Sequence, residues 1–315
     1  MKAAPLPEAP PGFELGEDPD RIVNAMTIDV EDYFHVSVFD GLVPRHAWEG
    51  MESRVCANTE RLLTIFDETN VQATFFILGW VAERFPWLVR RIAEQGHEIA
   101  SHGYGHRLVY DLTPKAFRAD VRRAKDLLEQ TAGRRVCGYR APSYSVTPKS
   151  LWALDVLIDE GYRYDASIFP IHHDRYGIPI SARQPYVLHR HAPLVEAPGS
   201  TVRCGPFNLP IGGGGYFRIL PYAWTRWGIN RLNQREQRPA IFYLHPWEID
   251  PDQPRLGAPA LGRFRHYFNL DRTEARLRAL LHDFRFATMM TVLDEQFTAL
   301  AEPEIGALPY VWSAP

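Results

Sequence analysis

Two groups of residues in the sequence have the types and the spacing of a metal site. Three carboxylates, those of Asp29, Glu31 and Asp32, lie within four consecutive positions, where repulsion and burial both disfavour full ionisation and a cation resolves the conflict. His102 and His106 are four residues apart, and the glycines between them favour a turn from which both imidazoles reach one ion. A histidine pair and a carboxylate make three protein ligands with a fourth position open, the arrangement of a catalytic zinc.

Three further residues have the chemistry of acid–base catalysis. Arg140 could hold a carboxylate ionised and oriented, although it could also be a surface arginine before a turn. His245 paired with Asp165 would stay protonated and aimed as a general acid. Taken singly, each of these residues and each of the two groups above also fits a structural role. Together they predict a metal-assisted hydrolase, in which the ion acidifies a water, a carboxylate takes its proton and a histidine protonates the leaving group.

The chemistry-bearing residues follow short apolar runs that predict buried β-strands. Five of the seven runs end in a titratable or cationic group, which a strand end built only for stability does not need. The predicted strands cover residues 22–30, 71–78, 97–101, 136–140, 163–167, 240–244 and 286–291.

Helical patterns lie between most of these strands. Thr113 as an N-cap predicts a helix from Pro114 to Gly133, and a second start signal predicts one over 147–161. The segment 80–95 is predicted to break into two short helices at its proline. Strands that alternate with helices indicate a parallel α/β arrangement, closed or nearly closed into a barrel, with its chemistry at the carboxyl ends of the strands.

The predicted domain organisation has three parts. Residues 1–20 carry five prolines and few large apolar groups, which predicts an extended arm. A single barrel domain is expected over 21–300, with the weakly patterned stretch 168–238 as an insertion or cap. Residues 301–315 are expected to form a tail.

Composition argues against several classes of protein. With 35 Lys and Arg against 38 Asp and Glu, the 315-residue chain has a formal net charge of -3, so no basic field exists to hold nucleic acid. Its three cysteines form no CxxC pair, which argues against a disulfide framework and a thiolate zinc site. The most apolar segment, 71–82, is too short to cross a bilayer. Because the Pro-rich start lacks the apolar run of a secretory signal, we expect a cytoplasmic protein.

In their order along the chain, the motifs resemble those of NodB-homology polysaccharide deacetylases, carbohydrate esterase family four. The likeness extends from about residue 22 to 247. The glycine run before Tyr-Phe-Arg and the His-Pro-Trp-Glu motif resemble the subgroup encoded near exosortase (PEP-CTERM) exopolysaccharide loci. The motifs that carry the resemblance are residues 29–32, the His102/His106 pair, Arg-Ala-Pro-Ser-Tyr at 140–144, Asp165 in Tyr-Asp-Ala-Ser, and Leu244-His245.

The resemblance implies a distorted (β/α)7 barrel with an elaborated C-terminal segment. It also implies removal of acetyl groups from N-acetylated sugars with a divalent metal, usually zinc. Carried over by motif, it implies a general base at Asp29 held by Arg140, a general acid at His245 held by Asp165, metal ligands at His102 and His106, and an oxyanion-hole N–H at Tyr144.

The first motif departs from the family pattern of two adjacent aspartates. The residue after Asp29 is Val30, which cannot bind metal, so the third ligand must be Glu31 or Asp32. Alternation along a strand favours Glu31, whereas a turn after Val30 could present Asp32, which we prefer as the shorter and stiffer ligand. Some relatives on this fold hydrolyse ureido or amide compounds without metal. Because the first motif departs from the family pattern, a metal-free hydrolase remains an alternative.

The leading hypothesis is a metal-dependent deacetylase, with Zn²⁺ as the expected ion. Its substrate would be the N-acetylhexosamine units of an exopolysaccharide or its precursor, met at the inner face of the membrane. The first alternative is a metal-independent hydrolase of ureido or cyclic amide compounds. The second is a non-catalytic carbohydrate-binding barrel, which the combination of a base and an acid disfavours.

Overall fold

One curved β-sheet organises residues 22–299, the part of the chain that the computed structural model describes. The strands are β1 (Asn24–Val30), β2 (Thr74–Ile77), β3 (Glu98–Ser101), β4 (Gly138–Tyr139), β5 (Tyr164–Asp165), β6 (Tyr186–His189), β7 (Pro193–Glu196), β8 (Thr201–Cys204), β9 (Phe207–Pro210), β10 (Ile241–Leu244) and β11 (Phe286–Ala287). Seven parallel strands follow in the order β10, β1, β2, β3, β4, β5, β7, and the antiparallel β6 ends the row. β8 and β9 form a separate hairpin.

Helices surround this sheet. They are α1 (Val55–Glu68), α2 (Gly79–Arg84), α3 (Pro86–Glu94), α4 (Pro114–Ala132), α5 (Trp152–Asp159), α6 (Gly214–Ile219), α7 (Tyr222–Asn230), α8 (Ala260–Tyr267), α9 (Leu270–Asp283) and α10 (Met289–Ala299). Within the described residues, no helix has both the length and the apolar character needed to cross a membrane. The arm predicted over 1–20 and the tail predicted over 301–315 lie outside the described residues.

Several helix boundaries follow the start and stop signals of the sequence. Oγ1 of Thr113 accepts a backbone N–H at 3.2 Å at the start of α4, and Gly133 ends the helix with a φ of 64°. The predicted break at Pro86 separates α2 from α3. These predictions are confirmed. The helix predicted from residue 147 begins only at Trp152, because Ser150 closes a turn on the residues before it.

The seven parallel strands form the distorted (β/α)7 barrel that the sequence predicted. The sheet is curled, and its end strands β10 and β6 do not pair with each other among the described residues. The seventh strand is not the one predicted at 286–291, since β11 adds only two residues beside β1 and α10 starts at Met289. It is β7, inside the stretch predicted as a cap. A proline at its start and a glutamate at its end hide β7 from a search for apolar runs.

The alternation of β1 decides which of its residues reach the site. Met26, Ile28 and Val30 have no exposed surface and belong to the main hydrophobic core. Thr27 and Asp29 lie on the opposite face of the strand, where both contact Arg140. The position after Asp29 is therefore used for packing and cannot supply a ligand.

The glycine run at 212–215 lets α6 approach β10 closely. A Cβ on Gly213 would overlap the carbonyl oxygen of Tyr243, and a Cβ on Gly214 would lie 2.6 Å from the hydroxyl oxygen of the same tyrosine. The two glycines also have positive φ angles, 90° and 52°. Glycine alone meets both demands, and the close approach carries Arg218 of α6 next to the end of β10.

Candidate active site

A buried ion pair lies at the carboxyl end of β1. Nη1 of Arg140 donates to Asp29 Oδ1 at 2.6 Å and to Thr27 Oγ1 at 2.8 Å. The guanidinium also packs over the ring of Phe76, 4.1 Å from its centroid. Because Arg140 and Asp29 are only 1% and 3% exposed, the pair fixes the orientation of the carboxylate and leaves its other oxygen, Oδ2, facing the pocket.

Three buried side chains converge beside this ion pair with the donor set of a zinc site. Ligand atoms of Glu31, His102 and His106 all lie within 4.8 Å of one another. Oε2 of Glu31 is 2.7 Å from His106 Nε2, but this contact does not have the geometry of a hydrogen bond. The oxygen therefore has no hydrogen-bond partner among the described residues. Nδ1 of His102 is 2.8 Å from the Arg140 carbonyl oxygen, which can only accept, so the ring donates there and keeps Nε2 free as a ligand. Two imidazoles and one carboxylate with an unsatisfied oxygen fit a divalent ion.

The charge states of these groups also suit a cation. Burial opposes ionisation of Glu31, but the neighbouring histidines outweigh burial and hold the pKa of its carboxyl well below its usual range. Burial lowers the pKa of His102 to about 4, so this imidazole is neutral at pH 7. An ionised carboxylate and a neutral imidazole are the forms that bind metal.

The loop that carries the two histidines is held from both sides. Asp120 of α4 accepts the N–H groups of Tyr104 and Gly105 at 2.7 and 3.3 Å. Arg45 donates to the carbonyl oxygens of Gly105 and His106 at 2.7 and 2.9 Å. His106 has a φ of 48°, a left-handed conformation that costs about 1–3 kcal/mol in a residue other than glycine. The bonds to Asp120 and Arg45 maintain that conformation.

Asp32, the ligand preferred from the sequence, lies outside this group and has a structural task. Its Oδ2 accepts hydrogen bonds from Ser53 Oγ at 2.7 Å and from the N–H groups of Arg54 and Val55 at 2.9 and 3.2 Å. These amides form the N-terminal end of α1, where a carboxylate is favourable. The preference for Asp32 is therefore corrected in favour of Glu31.

His245, at the end of β10, is held by a chain of buried charges. Its Nδ1 is 2.6 Å from Glu248 Oε1, and Nε of Arg218 donates to Glu248 Oε2 at 2.5 Å. Burial alone would lower the pKa of His245, but Glu31, Glu248 and Asp29 raise it to about 9, so the ring is protonated at neutral pH. Its Nε2 lies 3.5 Å from Glu31 Oε1 and 3.9 Å from Asp29 Oδ2.

Asp165 does not take part in this chain of charges, which corrects its expected role as the partner of His245. It lies opposite Glu196 in the β5–β7 register and accepts a hydrogen bond from Ser167. Burial raises the pKa of Asp165 to about 6 and raises that of Glu196 well above its usual range. Two adjacent buried carboxyl groups cannot both ionise at low cost, so this pair retains a proton.

Tyr144 lines the pocket, but its backbone is used differently from the prediction. Its N–H donates to the Ala141 carbonyl oxygen at 3.1 Å instead of remaining free as an oxyanion donor. Ser143 and Tyr144 both have a φ of 51°. Two consecutive left-handed residues of this kind store strain, and the turn presents the Tyr144 ring to the pocket.

The described residues enclose a pocket of about 140 Å³ at this point. It brings together six of the nine residues predicted from the sequence, with Arg140 directly behind Asp29. The six are Asp29, Glu31, His102, His106, Tyr144 and His245.

Residues 50–164 match the polysaccharide deacetylase family, and residues 166–294 match a domain of unknown function, DUF3473. Over the first of these segments the chain is similar to polysaccharide deacetylases. Peptidoglycan-N-acetylglucosamine deacetylase from Bacillus cereus is 34% identical over 98 residues, which are 31% of this chain and 36% of that protein. The chain spans about a third of the length of the first curated relatives it matches.

Solved structures resemble nearly the whole chain. A crystal structure from Mycobacterium smegmatis, provisionally described as a polysaccharide deacetylase, is 24% identical with a TM-score of 0.63 and covers 97% of this chain and 99% of its own. Puue allantoinase is 14% identical with a TM-score of 0.59, covering 91% and 94%. At these identities the likeness shows a common fold.

Both matched segments of the chain build the pocket. The polysaccharide deacetylase segment contains the His102/His106 pair, and the DUF3473 segment contains His245, Glu248 and Arg218. Glu248 and Arg218 were not identified from the sequence alone. Glu248 stands three residues after His245 across a turn, a spacing that could have identified it. Arg218 is 30 residues from Glu248, and nothing in the local sequence indicates the contact.

Proposed function

We propose that this protein is a metal-dependent hydrolase that removes N-acetyl groups from N-acetylhexosamine units of a saccharide and releases acetate. The observation that carries the proposal is the convergence of Glu31, His102 and His106 beside Asp29 and the protonated His245. Three ligands, a base and an acid in one pocket are the parts that metal-assisted amide hydrolysis needs.

Each residue has a definite task in this reaction. Asp29 takes the proton of the attacking water through Oδ2, while Arg140 holds Oδ1 and keeps the carboxylate aimed. His245 gives its proton to the departing amine nitrogen, and Glu248 keeps the donating Nε2 turned toward the pocket by holding Nδ1. Base and acid face each other across 3.9 Å, so a substrate carbonyl must enter from the open side of the pocket.

Glu31, His102 and His106 would hold the ion, and Zn²⁺ suits this donor set. When bound, zinc acidifies water and polarises the acetyl carbonyl. The Arg140 carbonyl orients His102 from behind, so the base and the ion site share one supporting residue. Displacement of Arg140 would therefore disturb both.

The substrate class is proposed from the relatives that the chain resembles. Relatives are named for deacetylation of peptidoglycan and of chitooligosaccharides, and we extend N-acetylated saccharides as a class to this chain. An exopolysaccharide or its precursor, the exosortase-associated subgroup and a cytoplasmic location stay predictions from the sequence.

The test combines metal content with acetate release. The purified full chain is expected to bind about one zinc per molecule by elemental mass spectrometry and to release acetate from penta-N-acetylchitopentaose until a chelator is added. His102→Ala should lose the metal, whereas His282→Ala, at a site that is 64% exposed, should keep it. Acetate release by the metal-free protein would refute the proposal. Hydrolysis of ureido compounds unaffected by chelator would favour the metal-free alternative.

A further inference from the structure

A second pocket, of about 230 Å³, lies in the DUF3473 segment beside the candidate active site. Its walls come from the loop after β5, from the β8–β9 hairpin and from α6. None of its lining residues is Asp, Glu, Lys or Arg, and His172 supplies the one imidazole among them, so the lining has no cluster of charges to bind a phosphate or a charged peptide. A neutral ligand fits it best.

Hydrogen bonds join the loop after β5 to the β8–β9 hairpin in the wall of this second pocket. Nδ2 of Asn208 donates to the carbonyl oxygens of Pro170 and Pro179 at 2.8 and 3.3 Å. Because only the amide nitrogen can donate to carbonyls, these bonds also fix the orientation of the side chain. Oδ1 of Asn208 is left without a hydrogen bond among the described residues. Through these two bonds Asn208 holds the loop after β5 against the hairpin, while its Oδ1 is buried out of reach of a ligand.

Phe207 gives the pocket an aromatic face. This phenylalanine is 60% exposed at the start of β9 in the β8–β9 hairpin. The face of an aromatic ring carries negative partial charge, and the C–H groups on the face of a sugar ring carry positive partial charge, so the two pack favourably. An exposed aromatic ring in a pocket lined by no Asp, Glu, Lys or Arg matches a saccharide.

One aromatic wall separates the two pockets. Tyr176 lines the first pocket and Tyr216 lines the second, and the two side chains are in hydrogen-bonding contact. Both pack against Phe169, with ring centroids 6.0 and 6.5 Å away. At about 140 and 230 Å³, each pocket is smaller than the roughly 300 Å³ at which ligand pockets usually begin, but together they exceed it.

We infer that the two pockets are neighbouring subsites for one saccharide chain. The acetylated unit lies at Asp29 and His245, and an adjoining unit packs on Phe207 beside Asn208. This inference rests on the proposed function and deepens it, because it assigns a chain of linked sugars as the substrate and disfavours a free N-acetylated monosaccharide.

The experiment measures binding and turnover separately. N-acetylglucosamine and penta-N-acetylchitopentaose are titrated by calorimetry into the chelator-treated full chain, and acetate release is measured after zinc is restored. Phe207→Ala is expected to weaken binding of the pentamer about tenfold and to leave binding of the monosaccharide unchanged. Phe207→Trp should retain the affinity. Phe264→Ala is the matched control, because this phenylalanine is 47% exposed and lines neither pocket.

The outcomes separate the inference from the function on which it rests. Equal affinity for the monosaccharide and the pentamer, equal losses with Phe207→Ala and Phe264→Ala, or no binding of the pentamer would overturn the second subsite. Acetate release with no dependence on Phe207 would leave the deacetylase standing without it. Binding of the pentamer through Phe207 without acetate release would instead refute the deacetylase and keep the subsite.

Discussion

Replacement of Glu248 by glutamine should shift the pH dependence of the reaction. Burial alone would lower the pKa of His245, and the surrounding carboxylates raise it to about 9. A cation held by Glu31 would cancel much of the Glu31 contribution, which leaves the 2.6 Å contact with Glu248 as the main support. A hydrogen bond to a charged group contributes about 1.5–3 kcal/mol, equivalent to about 1–2 pKa units.

The sign follows from the role of His245 as an acid. Because its pKa is raised, the protonated ring persists as pH rises and is lost only near pH 9. We therefore expect the alkaline limb of kcat/KM for acetate release to fall about 1–2 pH units lower in Glu248→Gln. Glu68→Gln, at a side chain that is 50% exposed and paired with Arg278, should leave the limb in place. An unchanged alkaline limb in Glu248→Gln would refute the assignment of Glu248.

Stability must be separated from this shift, since the same substitution leaves Arg218 buried without its anion. Breaking a buried ion pair costs about 3–5 kcal/mol, which urea unfolding can measure. The double variant Glu248→Gln/Arg218→Met removes both charges and should recover part of that loss. Its alkaline limb should stay shifted, because His245 still lacks a carboxylate.

Three further outcomes are expected. Glu31→Gln should lose bound zinc by elemental analysis, whereas Asp32→Asn should keep about one ion per chain and lose about 1–3 kcal/mol of unfolding free energy; the reverse result would restore Asp32 as the ligand. Asp29→Asn should retain zinc and lose at least about a hundredfold in kcat, and full activity would contradict its role as base. Burial lowers the pKa of His97 to about 4, and its Nδ1 accepts the Ala73 N–H at 3.1 Å. The folded protein favours the neutral imidazole of His97. The free energy of unfolding should therefore have its full value from this residue above pH 6.5 and should fall by up to about 3 kcal/mol as pH drops toward 4. In urea unfolding, His97→Asn should make the free energy of unfolding less dependent on pH between 6.5 and 4. An unchanged pH dependence would contradict this role of His97.

The candidate site could be predicted where its chemistry is local in the chain. The His102/His106 spacing and the carboxylates after β1 are readable because each group lies within one turn at one strand end. The choice between Glu31 and Asp32 was not readable, because it depends on the amides of α1, more than 20 residues away, which bind Asp32. These tertiary contacts occupy Asp32 and favour Glu31 as the proposed ligand.

In the fold as well, elements specified by local sequence could be predicted, whereas elements that depend on contacts distant in the chain could not. Strand β1 and helix α4 follow from apolar periodicity and capping residues. Strand β7 does not, because a buried Glu196 paired with Asp165 breaks the apolar run that marks a buried strand. The partner of His245 was missed for a related reason, since Glu248 belongs to the turn after β10, whereas the family likeness pointed to β5.

The border between the two matched segments falls inside β5, the strand Tyr164–Asp165. A polypeptide cut there would end in a strand whose outer edge has lost β7, and such an edge is a template for self-association. Neither fragment would contain both the His102/His106 pair and His245. Co-expressed halves would regain the proposed zinc-dependent turnover only by rebuilding the β5–β7 ladder, so the molecule is suited to a split-protein complementation reporter.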